Sequence, residues 1–262
     1  MLRYRSIVIL FSVLIVVLSA CKKASLTDDA LNSPYSPVNI PTKPSDDASK
    51  PAKDTSNKVI VILGSSTAAG FGATSPDSCW VGRLKLRMTK DKKNVKIINL
   101  GIGGYTTYQL MPTGQLSAIP NRPRPDTNAN VTAALKYQPD LVIINLPSND
   151  IAANYRDEEI LKNYRTIIRL VASARSSYLL TGTQPRNFNQ AAMRNRLKIL
   201  NDKLVSDFPQ NVHNYFMKLA TPSYAMQRIY NAGDGVHLNN RGHNLVYQTM
   251  MTSPVLKTVA GY

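Results

Sequence analysis

Near the C-terminal end of the 262-residue chain, Asp234-Gly235-Val236-His237 sets a carboxylate three residues before an imidazole. At that spacing one turn of backbone can pair the two groups. The carboxylate then fixes the ring tautomer and stabilises the imidazolium as it forms. A base of this kind needs a proton to take. Hydroxyls stand in Gly64-Ser65-Ser66-Thr67-Ala68-Ala69-Gly70, after the first apolar run, where small residues allow a tight turn that lifts a side chain above a strand end. After the second apolar run, Asn99-Leu100-Gly101-Ile102-Gly103-Gly104-Tyr105-Thr106 can present backbone N–H groups to an anion or oxyanion. After the third, Asn145-Leu146-Pro147-Ser148-Asn149-Asp150 offers a side-chain amide that can donate to developing negative charge. Taken one at a time, each has a plainer meaning too: a strand-to-helix turn, a flexible turn, a helix entry, an isolated Asp-x-x-His. The first loop is not the Gly-x-Ser-x-Gly elbow, because Ala68 stands at the second glycine position. Nor is it a phosphate-binding loop, which would end in Gly-Lys-Ser/Thr.

Such loops act together only if rigid elements hold them. Val59-Ile60-Val61-Ile62-Leu63 reads as a strand buried on both faces and ended by Gly64. Val95 to Leu100 repeats the design and ends at Gly101. Leu141 to Ile144 is a third strand, Tyr178 to Leu180 a weaker fourth, and a fifth is expected around Val212 to Met217. Between them lie helical stripes. Ile160, Tyr164, Ile167, Ile168 and Val171 share a face after Asp157, Glu158 and Glu159, which suit a helix N-terminus. Met193, Leu197, Leu200, Leu204 and Phe208 form another stripe, stopped by Pro209. Strand and helix in alternation predict an α/β fold with a parallel sheet covered on both faces. In open sheets of that kind, sites form at the carboxyl ends of strands, after Leu63, Leu100 and Asn145 here.

The four features together, followed by Leu238-Asn239 and Gly242, stand in the order of the SGNH hydrolases, also called GDSL-like esterases. The chain resembles that family from Lys58 nearly to its end. The resemblance implies a three-layer α/β/α fold, flavodoxin-like, with a mostly parallel five-stranded sheet. It implies Ser66 as nucleophile, His237 as base and Asp234 as its orienting partner, with Ser66, Gly104 and Asn149 forming the oxyanion hole. No metal or organic cofactor is implied. Two positions differ from the family pattern: Ser65 stands where Asp is usual before the serine, and Pro147 where Gly is usual before the asparagine.

The N-terminal segment reads as an address. Arg3 and Arg5 precede an apolar run from Ile7 to Val17, shorter than the roughly 20 residues a spanning helix needs. Leu18-Ser19-Ala20-Cys21 resembles the bacterial lipobox, which implies cleavage before Cys21 and a lipid on its thiol. An ordinary secretory signal or an uncleaved anchor remains open. Residues 22–57, with Pro34, Pro37, Pro41, Pro44 and Pro51 among Ser, Asp, Lys and Asn, form a tether too polar to offset its ordering entropy. Three parts are therefore expected: a signal segment over 1–21 ending at lipidated Cys21, a tether over 22–57, and the hydrolase domain over 58–262.

Composition narrows the partners. Two cysteines and three histidines exclude a disulfide scaffold and a Cys/His zinc site. The five lysines and five aspartates of the tether cancel, and setting aside Arg3 and Arg5 from the net +16 leaves +14 on the domain. Residues 83–96 carry seven basic side chains and one acidic one, which suits anionic lipid or wall polymer, or simply a solvated helix face. Nucleic acid is not expected, since no recognition motif is present, and no obligate protein partner is implied. Arg186, after the fourth strand, can grip an anionic substrate group or face solvent. His213 and His243 are expected to be structural, and Cys79 a core residue. The function expected is hydrolysis of short acyl esters of a carbohydrate, wall polymer or lipid by an exported lipoprotein of the cell envelope. The alternatives are acyl transfer at the same site and a binding lipoprotein that has lost the chemistry.

Overall fold

The computed structural model describes residues 56–262. The expected signal segment, Cys21 and nearly all of the tether lie outside the described residues. Five strands form one parallel sheet in the order β2-β1-β3-β4-β5: β1 is Lys58–Gly64, β2 Val95–Asn99, β3 Leu141–Asn145, β4 Ser177–Thr181 and β5 Val212–His213. The first four fall where the apolar runs predict them. Residues alternate across the sheet, and each face has its own core. Val61, Leu63, Val142, Ile144 and Leu180 point to one side, Ile60, Ile62, Leu141, Ile143 and Leu179 to the other.

The first face is covered by α3 (Val131–Leu135), α5 (Asp157–Ser173) and α6 (Ala191–Asp207). The predicted stripe Ile160, Tyr164, Ile167, Ile168 and Val171 is the buried side of α5, and Leu197, Leu200 and Leu204 are that of α6. On the opposite face pack α2 (Trp80–Lys90), α8 (Asn240–Met250) and α9 (Pro254–Ala260), through Trp80, Leu84, Met88, Val246, Met250 and Leu256. The short helices α1 (Ser66–Ala69), α4 (Ser148–Ala152) and α7 (Phe216–Leu219) complete the α-helices among the described residues. This is the three-layer α/β/α architecture expected from the sequence.

The fifth strand is shorter than predicted. Only Val212 and His213 pair with β4, and the chain then turns into α7. Asn214 Oδ1 accepts from Phe216 N at 3.0 Å, and Phe216 and Leu219, three apart, are both buried. The apolar residues read as strand thus serve a helical face.

Because β2 and β3 flank β1 on opposite sides, the strand order reverses at β1, and the crevice opens beside its carboxyl end. Gly64 ends β1 where a Cβ would stand 2.7 Å from Asn145 O and 2.8 Å from Ala68 Cβ. Only glycine lets β1, β3 and the following turn converge so closely.

Candidate active site

Ser66 opens α1, a helix of four residues closed by Gly70 at φ 92°. The turn is held from below: Trp80 Nε1 donates to Thr67 O at 2.9 Å, and Phe71 N donates to Ser66 O at 2.9 Å. Ser66 is buried along with Ser65 and Thr67 in this turn. Its backbone N–H occupies the first helical position, which has no partner inside the helix. Among the described residues neither that N–H nor the Gly104 N–H meets a backbone acceptor. Gly104 adopts φ 82° with open space where a Cβ would sit, so the loop turns there through a conformation other residues rarely take.

Asp234 and His237 are paired as the sequence predicts, with Oδ2 2.5 Å from Nδ1. Asp234 Oδ1 accepts from the Val236 and His237 backbone N–H groups, each at 2.8 Å. Partial burial pulls this carboxyl upward, but the two N–H groups and the imidazole outweigh it and bring the pKa down to about 2. The carboxylate is therefore ionised at neutral pH. With Nδ1 engaged, Nε2 is the ring nitrogen left for a substrate-side proton. The Phe71 ring, 51% exposed, lies against the imidazole with centroids 5.6 Å apart.

A side chain that sequence reasoning passed over ties the serine turn to the histidine loop. Gln184 Oε1 accepts from Thr67 Oγ1 at 2.8 Å, and its Nε2 donates to Val236 O at 2.6 Å. The residue after Ser66 and the residue before His237 thus share one buried brace. No hydrogen bond joins Ser66 Oγ to His237 among the described residues. Such contacts commonly tighten only when substrate is bound.

Asn149 lies on α4, beyond the β3 end. Its Nδ2 donates to Tyr105 O at 3.0 Å, next to Gly104, which leaves a second N–H for another acceptor. Its Oδ1 accepts from Arg186 Nη1 at 3.2 Å. The neighbouring Asp150 is fully buried and accepts from Thr107 N at 2.9 Å and Thr107 Oγ1 at 2.6 Å, which fastens the glycine loop to α4. Burial raises its pKa to about 7 against the pull of the Thr107 hydrogen bonds. The two departures from the family pattern leave these contacts in place. Ser65 is buried and its N–H donates to Asn145 O at 3.3 Å; Pro147, after a cis bond, accepts from Asp150 N at 3.0 Å through its carbonyl.

Arg186 is half-buried, with its guanidinium 5.2 Å from the Phe188 ring centroid. It faces the site rather than open solvent. The other residues singled out are structural. His243 is buried, with Nδ1 accepting from Trp80 N at 3.4 Å and Nε2 3.0 Å from Phe71 O. Desolvation lowers its pKa, as it does that of His213, which falls to about 4. Cys79 is buried at the head of α2, where its sulfur accepts from Gly82 N at 3.3 Å. Among the described residues no group of three or more His, Cys, Asp or Glu could hold a metal.

Residues 62–245 match the sequence profile of the GDSL-like Lipase/Acylhydrolase family. No curated protein matches the chain. Among solved structures, a GDSL-like lipase from Bacteroides thetaiotaomicron is 20% identical, with 77% of this chain and 89% of that one covered at a TM-score of 0.57. A psychrotrophic esterase from Pseudoalteromonas sp. is 20% identical, with 75% and 96% covered at 0.54. An acetyl xylan esterase is 17% identical, with 75% and 99% covered at 0.56. At these identities the structural likeness concerns the fold.

Proposed function

The chain belongs to the GDSL-like lipase/acylhydrolase family and is an ester hydrolase, and from that premise we propose a serine esterase of the cell envelope that removes short acyl groups from carbohydrate or lipid esters. The observation that carries the reading is the 2.5 Å Asp234–His237 pair, braced through Gln184 to the turn that presents Ser66. In the proposed cycle His237 Nε2 takes the Ser66 proton as Oγ attacks the ester carbonyl. The oxyanion accepts from the Ser66 and Gly104 N–H groups and the second Asn149 N–H; one such donor is typically worth about 3 kcal/mol in the transition state. His237 then protonates the leaving alcohol. Water attacks the acyl-enzyme by the same route, which releases the acid and restores the serine.

An acetyl xylan esterase among the proteins of similar fold favours a short acyl group. The envelope location rests on the N-terminal sequence: the basic and apolar segment before Cys21 would export the chain, and the lipid on Cys21 would anchor it. The test is turnover of p-nitrophenyl acetate, butyrate and octanoate by the purified protein and by its Ser66→Ala variant. We expect the acetate to be preferred and the variant to lose at least about 10³-fold in rate. Full activity in the variant would remove Ser66 from the mechanism, and a preference for octanoate would overturn the short-acyl assignment.

A further inference from the structure

Arg186 is placed by elements on both sides of the site. Asn187, next in sequence, donates from its N–H to Gly235 O at 2.8 Å and accepts at Oδ1 from Met226 N at 2.7 Å, so the backbone is fixed against the Asp234–His237 loop. The guanidinium reaches across to the Asn149 amide at 3.2 Å and lies over Phe188. That one hydrogen bond is its only one among the described residues, and no carboxylate there lies within ion-pair distance of it. Asp234, whose charge acts on Arg186, is already committed to His237 and two backbone N–H groups. A half-buried guanidinium with most of its donors unmatched is costly to maintain, and a planar fork of donors fits a carboxylate or phosphate.

We propose that Arg186 is a specificity residue that binds an anionic group on the substrate, so that the natural ester carries a carboxylate or phosphate close to the scissile bond. The inference rests on the serine-esterase reading and adds the charge of the substrate to it. The distance follows from Asn149. One end of its amide holds Arg186, while the N–H left at the other end is the donor that the proposed mechanism assigns to the oxyanion. The anionic group at Arg186 and the carbonyl oxygen at Asn149 therefore bind to two side chains in direct contact, a few bonds apart in the substrate. The charge can sit on the acid side of the ester or on the alcohol side.

Two pairs, each a charged ester and its uncharged isostere, distinguish these sides. Monomethyl succinate is compared with methyl 4-methylpentanoate, and O-acetylglycolate with isobutyl acetate, each followed by acid release to give kcat/KM. The charged member of at least one pair is expected to lead by about tenfold or more, the effect of charge-assisted hydrogen bonds at a partly buried site. The lead shrinks as salt is added. Taken as a ratio within each variant, it survives in part in Arg186→Lys, falls to about one in Arg186→Met and inverts in Arg186→Glu. The ratio cancels any effect of Arg186 on the orientation of Asn149, which would slow both members of a pair alike. Ratios near one in the wild-type protein, or a lead that persists in Arg186→Met, overturn the proposal. Turnover of these esters that does not depend on Ser66 is a different result: it defeats the serine-esterase reading, and this inference falls with it.

Discussion

The side chains that could be read from the sequence are those whose chemistry is tied to a local place. Ser66, Gly104 and Asn149 follow strand ends, and Asp234 reaches His237 within a single turn. Gln184 could not be read that way, because its partners Thr67 and Val236 lie 117 and 52 residues away in the chain. Only the fold brings them together. The brace has a measurable role if it sets the approach of the imidazole to the serine. Thr67→Val removes one arm, and Gln184→Glu removes the donor of the other. Either change should lower kcat about tenfold with little change in KM, and the double variant should lose hardly more than one alone, since both break the same link. Losses that multiply, or that appear in KM alone, would argue that the two residues act independently.

At the scale of elements, strands and long helices were legible because their apolar periods are set by local geometry. The connection between β2 and α3 was not. Residues 100–130 contain no helix or strand, yet Tyr108, Leu110 and Met111 are buried at no regular spacing. Tertiary contacts hold the segment instead. Arg122 makes a two-pronged bond to Glu159 on α5 at 2.9 Å, Tyr108 OH donates to the same carboxylate at 2.6 Å, and Thr107 donates to Asp150. The last contact has a pH signature. A folded pKa near 7, above the usual carboxylate value of 3.8, means that the folded protein keeps a proton the unfolded chain has released. Stability from this group therefore falls as pH rises from about 4 to about 7 and levels off beyond. Asp150→Asn, which cannot ionise, should lack that decline. Denaturant unfolding of both proteins across this range checks it, and parallel curves would show that Asp150 ionises as readily in the folded state as in the unfolded one.

For the whole molecule, the +14 that sequence arithmetic assigns to the domain is not spread evenly. On α2, Trp80, Val81, Leu84 and Met88 enter the core, which leaves Lys85, Arg87 and Lys90 exposed, with Lys92 and Lys96 exposed just beyond. Arg87 is partly neutralised by Asp91, to which Tyr262 also donates at 2.6 Å. The lysines form the freer part of the patch. A chain anchored through Cys21 would hold this surface near anionic headgroups, where each lysine contributes about 1 kcal/mol. A Cys21→Ala variant would lack the proposed lipid, so that the domain's own affinity can be measured by vesicle sedimentation. Binding should be clear for phosphatidylglycerol vesicles, weak for phosphatidylcholine, and lost progressively with salt, because surface charges are screened within a Debye length of about 8 Å at physiological ionic strength. Charge reversal at Lys85, Lys90 and Lys92 should abolish it while ester turnover in solution is unchanged, since α2 packs on the sheet and contributes none of the side chains proposed for the chemistry. Equal binding to both lipids, or binding unaffected by the reversal, would mean that the basic face is a solvated surface that does not recognise anionic lipid.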